Sequence, residues 1–356
     1  MANLIQVKAM CTAMVQRNME VILSLPGKKY GPEFTQNEIF HIDIRKPIIS
    51  SKLDKYINRQ SVIKSVNKYD PDIIYLRIPL LLHQVKYLKK NIIIELHNNK
   101  LHSKFRLLNN YWSRMIVRMA KTDQILKVVC ISEALGKFWL SQGIPAEKVI
   151  VEHDGIDPSL FKHKNALDAR IALNLPLDKK IVTYSGRLYK NRKIENILAL
   201  AKQFKEVIFL IVGGPEEQKV IYSNKAKNED IKNIIFTGQI SHDKVPLYLY
   251  ASDILLGLWS SDVPTINFCS PLKIFEYMAS GRIIVAHGFP TIKEVLIDGQ
   301  NSILVKPDSI DDLISKVQTA LNMDYPSDIA EKALKDVNEK YTWYKRIQSI
   351  FSSLEK

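Results

Sequence analysis

Glycine is scarce in this chain of 356 residues: 13 occur, where average usage would supply about 25. Only Gly27 and Gly31 fall in the first 135 residues, and the other eleven lie between Gly136 and Gly299. Backbone that closes on a phosphate generally needs glycine, so a nucleotide site belongs to the second half. Cysteine is scarcer still. Cys11, Cys130 and Cys269 are odd in number, far apart and in no metal spacing, which excludes a disulfide framework and points to a reducing cytoplasm. No stretch approaches the ~18 uninterrupted apolar residues of a membrane-spanning helix; the best candidate, 73–82, is broken by Arg77. The start, Met1-Ala2-Asn3, lacks the basic-then-apolar pattern of a secretory signal. With 46% hydrophobic and 25% charged residues, the composition excludes a disordered, collagenous or low-complexity protein.

The length predicts two domains. Net charge is +14, and residues 1–157 carry +10 of it, with 24 basic and 14 acidic side chains. The first half therefore faces something anionic: a membrane surface, a phosphorylated substrate or nucleic acid. Nucleic acid is set aside because there is no zinc-finger spacing, helix-turn-helix signature or RNP-like aromatic strand.

Short apolar runs alternate with helical patterns from end to end. Strands are predicted at 20–25, 72–76, 92–96, 126–130 and 149–152, with amphipathic stretches at 53–66 and 104–121 between them. The second half repeats the scheme at 180–184, 207–212, 233–237, 253–256, 282–286 and 302–305. Strands separated by helices of this length imply parallel sheets with right-handed crossovers, hence an α/β fold of two Rossmann-like, doubly wound domains. Residues 157–178 are polar, contain Pro158 and Pro176, and are expected to link the domains. The domains are then 1–157 and 158–325, followed by helices in 326–356 that pack back on the first. A helix over 2–16 leads directly into the first strand, so the first domain lacks the strand and tight turn that normally open such a fold.

Two segments carry chemistry. Tyr184-Ser185-Gly186-Arg187-Leu188-Tyr189-Lys190-Asn191-Arg192-Lys193 follows a strand and precedes a helix. Gly186 lets the backbone turn close to a ligand, and four cations within seven residues suit a diphosphate; a solvated basic loop is the plainer alternative. In the second segment, Ser270 is a good helix N-cap and Pro271 a good first helical residue. The amides there, through Leu272, would face an anion. Lys273 sits in the first turn, where a cation opposes the helix dipole unless a phosphate is present. Glu276 lies about a nucleoside's length from the helix start, where a carboxylate can accept both ribose hydroxyls. An ordinary capped helix with an exposed Glu is the competing reading.

Together these segments resemble the retaining glycosyltransferases of the two-Rossmann-domain (GT-B) type, specifically family 4, the group 1 glycosyltransferases. The resemblance runs through Ile131-Ser132-Glu133-Ala134-Leu135, Asp154-Gly155-Ile156-Asp157 with Phe161, Ser185-Gly186-Arg187-Leu188, Val212-Gly213-Gly214 and Phe236-Thr237-Gly238. It continues through the 270–281 block and Glu294-Val295-Leu296, seven motifs in order. It implies a cleft between the domains, with the nucleotide sugar held by the C-terminal one and the acceptor by the N-terminal one. Arg187 and Arg192 would hold the donor diphosphate and stabilise its departure, with Lys193, at what is usually a glycine, sharing the role. Glu276 matches the second Glu of the family's Glu–seven residues–Glu motif and would bind the ribose. The first falls on Phe268, a departure shared by a subgroup with a Ser-Pro-Leu-Lys-x-Phe-Glu block. Backbone near Gln239 and Ile240 would read the base. His97, ending strand 92–96, matches a position that faces the sugar from the first domain.

The implied reaction moves a sugar from a UDP- or GDP-linked donor to a glycan or lipid-linked acceptor, with retention of configuration, in bacterial surface polysaccharide (lipopolysaccharide or capsule) synthesis. Arg187, Arg192, Lys273 and helix amides would neutralise the leaving group without metal, and no further cofactor is implied. Asp70-Pro71-Asp72 reads as a turn rather than a metal motif, and His97 with His102 has no acidic third ligand. Between Glu95 and Asp123 there is no acid, while Lys100, Lys104, Arg106, Arg114, Arg118 and Lys121 supply six cations. A helix with Lys104, Arg114, Arg118 and Lys121 on one side, and Phe105, Leu108, Trp112, Met115, Ile116 and Met119 on the next, can lie on anionic lipid with Trp112 at the headgroups. That places the protein peripherally on the inner face of the cytoplasmic membrane; the competing arrangement packs the apolar side on the sheet. The alternative function, motivated by Phe268 and the missing first strand, is a non-catalytic nucleotide-sugar-binding homologue or partner subunit.

Overall fold

The structure, a computed structural model, describes residues 2–26, 39–45, 59–77, 85, 87–100, 106–162, 165–324 and 327–355. It forms two compact units, Met1–His153 with Trp343–Lys356, and Asp154–Thr342. The boundary thus lies four residues before the predicted one. The predicted linker belongs to the second unit's fold: Ala166–Ala172 is a helix, Ala169 is buried, and the Arg170 guanidinium bonds Asp253 at 2.7 Å and the Ala251 carbonyl at 2.9 Å. Of the C-terminal helices, Asp328–Lys340 stays with the second unit and Trp343–Ser352 joins the first.

The first unit contains α1 (Ala2–Val15), β1 (Ile22–Pro26), β2 (His41–Arg45), α2 (Arg59–Tyr69), β3 (Ile73–Leu76), β4 (Asn91–Leu96), α3 (Arg106–Ala120), β5 (Ile125–Cys130), α4 (Glu133–Ser141) and β6 (Val149–Val151). Strands β3-β4-β5-β6 form a parallel sheet in that order, and β1 pairs with β2, also parallel. The run Ile92-Ile93-Ile94 is buried on both faces of β4, as a central parallel strand requires. Strand β2 was not predicted. Its sequence, His-Ile-Asp-Ile-Arg, carries only two apolar residues. The motif beginning Ile131-Ser132 has a structural reason: Ser132 caps α4, its hydroxyl accepting from the Leu135 amide at 3.2 Å.

The second unit contains α5 (Ala166–Ala172), β7 (Ile181–Ser185), α6 (Ile194–Gln203), β8 (Ile208–Val212), α7 (Glu216–Asn228), β9 (Ile234–Gly238), α8 (Val245–Tyr250), β10 (Ile254–Gly257), α9 (Leu272–Ala279), β11 (Ile283–His287), β12 (Ile303–Val305), α10 (Ile310–Leu321) and α11 (Asp328–Lys340). All six strands are parallel in the order β12-β11-β10-β7-β8-β9. Numbered within the unit, this is 3-2-1-4-5-6 read from β9, the doubly wound arrangement of dinucleotide-binding folds. The order reverses between β7 and β10. A ligand is held beyond the carboxyl ends of the strands at such a reversal, and the loops after β7 and β10 meet there, with the Ser260 amide donating to the Asn191 carbonyl at 3.1 Å.

Candidate functional site

The turn after β7 is shaped by close backbone approach. Gly186 has φ +135°, and its amide donates to the Val212 carbonyl at 2.8 Å. A Cβ at Gly186 would stand 3.0 Å from Lys273 Nζ, so glycine leaves room for that ammonium beside the turn. The loops after β8 and β9 close against the same place. A Cβ at Gly213 would lie 2.9 Å from the Gly186 carbonyl oxygen, and the Gly213 amide donates to the Gly238 carbonyl at 3.0 Å.

Helix α9 is fixed to this edge by Tyr277. Its buried hydroxyl accepts from the Ser185 amide at 2.9 Å and donates to the Leu256 carbonyl at 3.3 Å, tying α9 to the ends of β7 and β10. Lys273 lies one turn before Tyr277 on the same face. Its ammonium is buried and, among the described residues, has no hydrogen-bond partner; it lies 4.1 Å from the Tyr184 ring centroid and 5.3 Å from that of Trp259. Burial, and then the Arg192 guanidinium, hold its pKa well below the usual lysine value, against a smaller upward pull from Glu276. Two cations therefore face each other with too little counter-charge, which an anion would supply. Glu276, a residue short of a further turn on, has a side chain 15% exposed, and His242 Nε2 lies 2.8 Å from its Oε1. That hydrogen bond raises the His242 pKa, burial lowers it, and the charges of Glu276 and Asp243 raise it further.

The structure thus brings Gly186, Arg192, Lys273 and Glu276 together, and adds His242 and Tyr184, which sequence reasoning missed. His242 pairs with a residue 34 positions away, a relation no local pattern carries. Other expected residues take different places. The exposed Arg187 guanidinium turns onto Tyr189, with Nη1 2.5 Å from its hydroxyl; only the Arg187 carbonyl reaches the site, accepting from the Tyr184 hydroxyl at 2.8 Å. Lys193 adopts the left-handed backbone, φ 56° and ψ 38°, that a glycine would favour, and its ammonium pairs with Asp308 at 2.9 Å rather than joining Arg192. Ser270 is not the N-cap of α9. Pro271 takes that position and Leu272 opens the helix, while the Ser270 hydroxyl accepts from the Asp154 amide at 2.9 Å. Gln239 is exposed and Ile240 half-buried in the loop after β9 that leads to His242.

In the first unit, His97 follows β4 and belongs to a buried charge cluster. Glu95 is fully buried and is held by Arg77 at 2.8 Å, by Arg346 of the C-terminal helix Trp343–Ser352 at 3.0 Å and by the Tyr75 hydroxyl. His97 Nε2 lies 2.5 Å from Glu95 Oε1. Burial alone would raise the Glu95 carboxyl; Arg346, Arg77 and His97 outweigh it and hold the carboxyl well below the usual range. The same Nε2 lies 3.0 Å from Arg77 Nη2, and the ring is 26% exposed.

Helix α3 corrects the lipid-facing expectation. Trp112, Ile116 and Ala120 are buried, and Trp112 packs edge-on against Trp139 with ring centroids 5.5 Å apart. Of the side expected to meet lipid, Trp112 and Ile116 are core, Met115 and Met119 are half-buried, and Leu108 is exposed. Arg106, Arg114, Arg118 and Lys121 are exposed, and so are Leu107, Leu108 and Tyr111. Lys104 and Phe105 lie outside the described residues. Among the described residues no helix is long and apolar enough to cross a membrane.

The fold is that of the GT-B glycosyltransferases. HepE of Anabaena, solved in complex with UDP and glucose, superposes with a TM-score of 0.78 over 99% of this chain and 95% of that one, at 18% identity. Sucrose-phosphate synthase of Thermosynechococcus elongatus gives a TM-score of 0.77 over 98% of this chain and 91% of that one, at 17% identity. Residues 167–336 match the family model for glycosyl transferases group 1, and residues 5–160 match that for glycosyltransferase family 4. Each model covers just under half of the chain, and together they span most of its length, which supports a group 1 glycosyltransferase. Among curated proteins it is similar to an uncharacterized glycosyltransferase of Methanocaldococcus jannaschii, 27% identical over 77% of this chain and 70% of that one. It is also similar to lipopolysaccharide 1,2-N-acetylglucosaminetransferase of Salmonella typhimurium, 26% identical over 72% of this chain and 70% of that one.

Proposed function

We propose that the protein transfers a sugar from a nucleoside-diphosphate sugar to a glycan or lipid-linked acceptor, with retention, in the synthesis of a bacterial surface polysaccharide. The observation that carries this reading is the buried Lys273 ammonium, without a hydrogen-bond partner among the described residues, beside Gly186 at the reversal point of the second sheet. The diphosphate lies against Lys273 and Arg192, and the ribose hydroxyls reach Glu276. As the bond from the anomeric carbon to the diphosphate breaks, negative charge collects on the leaving oxygen. Lys273 and Arg192 stabilise that charge, Lys273 from a buried position, without metal. On the same face, the acceptor hydroxyl loses its proton to the departing phosphate as its oxygen bonds the anomeric carbon, which preserves configuration. The likeness to the Salmonella lipopolysaccharide transferase supports the choice of acceptor class.

Peripheral attachment to an anionic cytoplasmic membrane is part of the proposal, through the Arg114 and Arg118 side of α3 without the buried Trp112. Arg114 and Arg118 line a surface hollow with Asn110, Ser113 and Gln142 and no acid, and exposed Leu107, Leu108 and Tyr111 lie toward the start of the helix.

The test is slow hydrolysis of a panel of UDP- and GDP-sugars. A transferase releases nucleoside diphosphate from one donor and retains the anomeric configuration in product. Binding with no release favours the non-catalytic homologue, for which Phe268 in place of the first motif Glu is the supporting observation. An inverted product refutes the same-face mechanism.

A further inference from the structure

Glu276 already has a partner within the protein. His242, which opens the turn after β9, places Nε2 2.8 Å from Glu276 Oε1, and among the described residues the Glu276 side chain has no other hydrogen-bond partner. A ribose offers two vicinal hydroxyls, and a carboxylate meets them best with both oxygens open. One of the two is taken. The partners also differ in freedom. Glu276 projects from a helix anchored by Tyr277 and is 15% exposed, whereas His242 stands on a short surface turn and is 31% exposed. The imidazole can leave for water more readily than the carboxylate can move.

Resting on the donor site proposed above, we infer that His242 is a further residue of that site: it occupies the ribose-binding carboxylate while the site is empty and is exchanged for the 2′,3′-hydroxyls when the nucleotide sugar binds. Kept on Glu276, it holds the carboxylate oriented between catalytic cycles. Its departure couples donor binding to protons.

The groups facing His242 are Glu276 from α9 and Asp243 on its own turn, with Lys244 acting on Asp243; beyond Glu276 lie Lys273 and Arg192. On Glu276 the imidazole holds its proton more tightly than in water; released, it returns toward an ordinary pKa of about 6.5. Between those two values, binding expels up to one proton, and donor affinity rises with pH by as much as about tenfold per unit. Lys273 works in the opposite sense, since an arriving diphosphate favours its charged form. It is common to wild type and to a His242 variant, so the difference between them isolates the imidazole.

The experiment titrates UDP-glucose and GDP-glucose into the full chain and into His242→Asn by calorimetry, in buffers of differing ionisation heat, from pH 6 to pH 9. Asn keeps a hydrogen-bond donor but does not titrate. Wild type is expected to release more protons per donor bound than His242→Asn near pH 7. The variant should bind the donor several-fold more tightly than wild type at pH 6, and the two should converge near pH 9. Equal proton counts, or a variant weakened by the same factor at every pH, overturn the exchange. Glu276→Ala separates the two levels of the argument. If neither donor binds wild type, or if Glu276→Ala binds it as well as wild type does, the donor site itself is wrong. If binding depends on Glu276 but is indifferent to His242, only this inference fails. Thermal unfolding of each variant without donor verifies that it is folded.

Discussion

Replacing Lys273 by Met should move stability and donor affinity in opposite directions. The ammonium is buried, has no hydrogen bond among the described residues and is repelled by Arg192; the Tyr184 and Trp259 rings and the charge of Glu276 compensate in part. Burying an ion costs several kcal/mol, and a desolvated cation–π contact returns about 2 kcal/mol. Met keeps the length and removes the charge. The empty protein should therefore gain about 1–3 kcal/mol, seen as a rise in Tm of roughly 2–4 °C per kcal/mol for a unit of this size. Donor affinity should fall by about 1.5–3 kcal/mol, the worth of hydrogen bonds to a charged group, or about 10- to 150-fold in Kd. The pH dependence has a definite sign. Lys273 has its folded pKa depressed, so at low pH the buried charge destabilises fully. As pH rises from that depressed value toward the unfolded value of about 10.4, the folded form sheds its proton first and the penalty disappears. The stability gap between Lys273→Met and wild type should close across that window. Thermal unfolding with and without UDP-glucose measures all three effects. A variant that is less stable than wild type yet binds donor equally well would make Lys273 a structural cation and refute the reasoning.

Further outcomes follow from other parts of the chain. Glu95→Gln strands the half-buried Arg77 and buried Arg346 guanidinium groups and should destabilise the first unit by about 3–5 kcal/mol in chemical denaturation. Trp112→Ala should cost about 3–5 kcal/mol, because Trp112 is core. Arg114→Ala with Arg118→Ala should leave stability within about 0.5 kcal/mol but weaken binding to anionic vesicles by about 1 kcal/mol per charge, with the loss erased by salt. Vesicle binding that is indifferent to both removes the membrane proposal. The His242–Glu276 pair gives the empty protein stability that is fully present below about pH 6.5 and is lost as pH rises through the raised His242 value. Against His242→Asn, the wild-type advantage in Tm should shrink accordingly. Lys193→Gly relieves the left-handed backbone and breaks the Asp308 pair, and donor Kd should remain within about twofold.

What the sequence made legible follows from how each signal arises. The strands of the second unit are continuous apolar runs because a parallel sheet buries both of their faces, and each was predicted to within a residue or two. Strand β2 escaped because an Ile–Asp–Ile pattern flanked by His and Arg is too polar and too short. Helix α5 was read as linker because seven residues between Pro158 and Pro176 show little periodicity, and because the partner of Arg170 is the distant Asp253. The apolar stripe of α3 was visible as a stripe, but periodicity does not say whether it meets lipid or sheet; Trp139 decides that. At the site, Gly186, Lys273 and Glu276 could be read because turn geometry and helix position are local. The side-chain directions of Arg187 and Lys193, which turn to Tyr189 and Asp308, are set by neighbours in space.

The most direct test of the donor site is a crystal structure of the full chain soaked with UDP-glucose and, separately, with GDP-glucose. The account predicts diphosphate oxygens within hydrogen-bond distance, about 2.7–3.2 Å, of Lys273 Nζ, with the ribose hydroxyls on Glu276. A nucleotide bound away from the ends of β7 and β10, with Lys273 still without a polar partner, would contradict it.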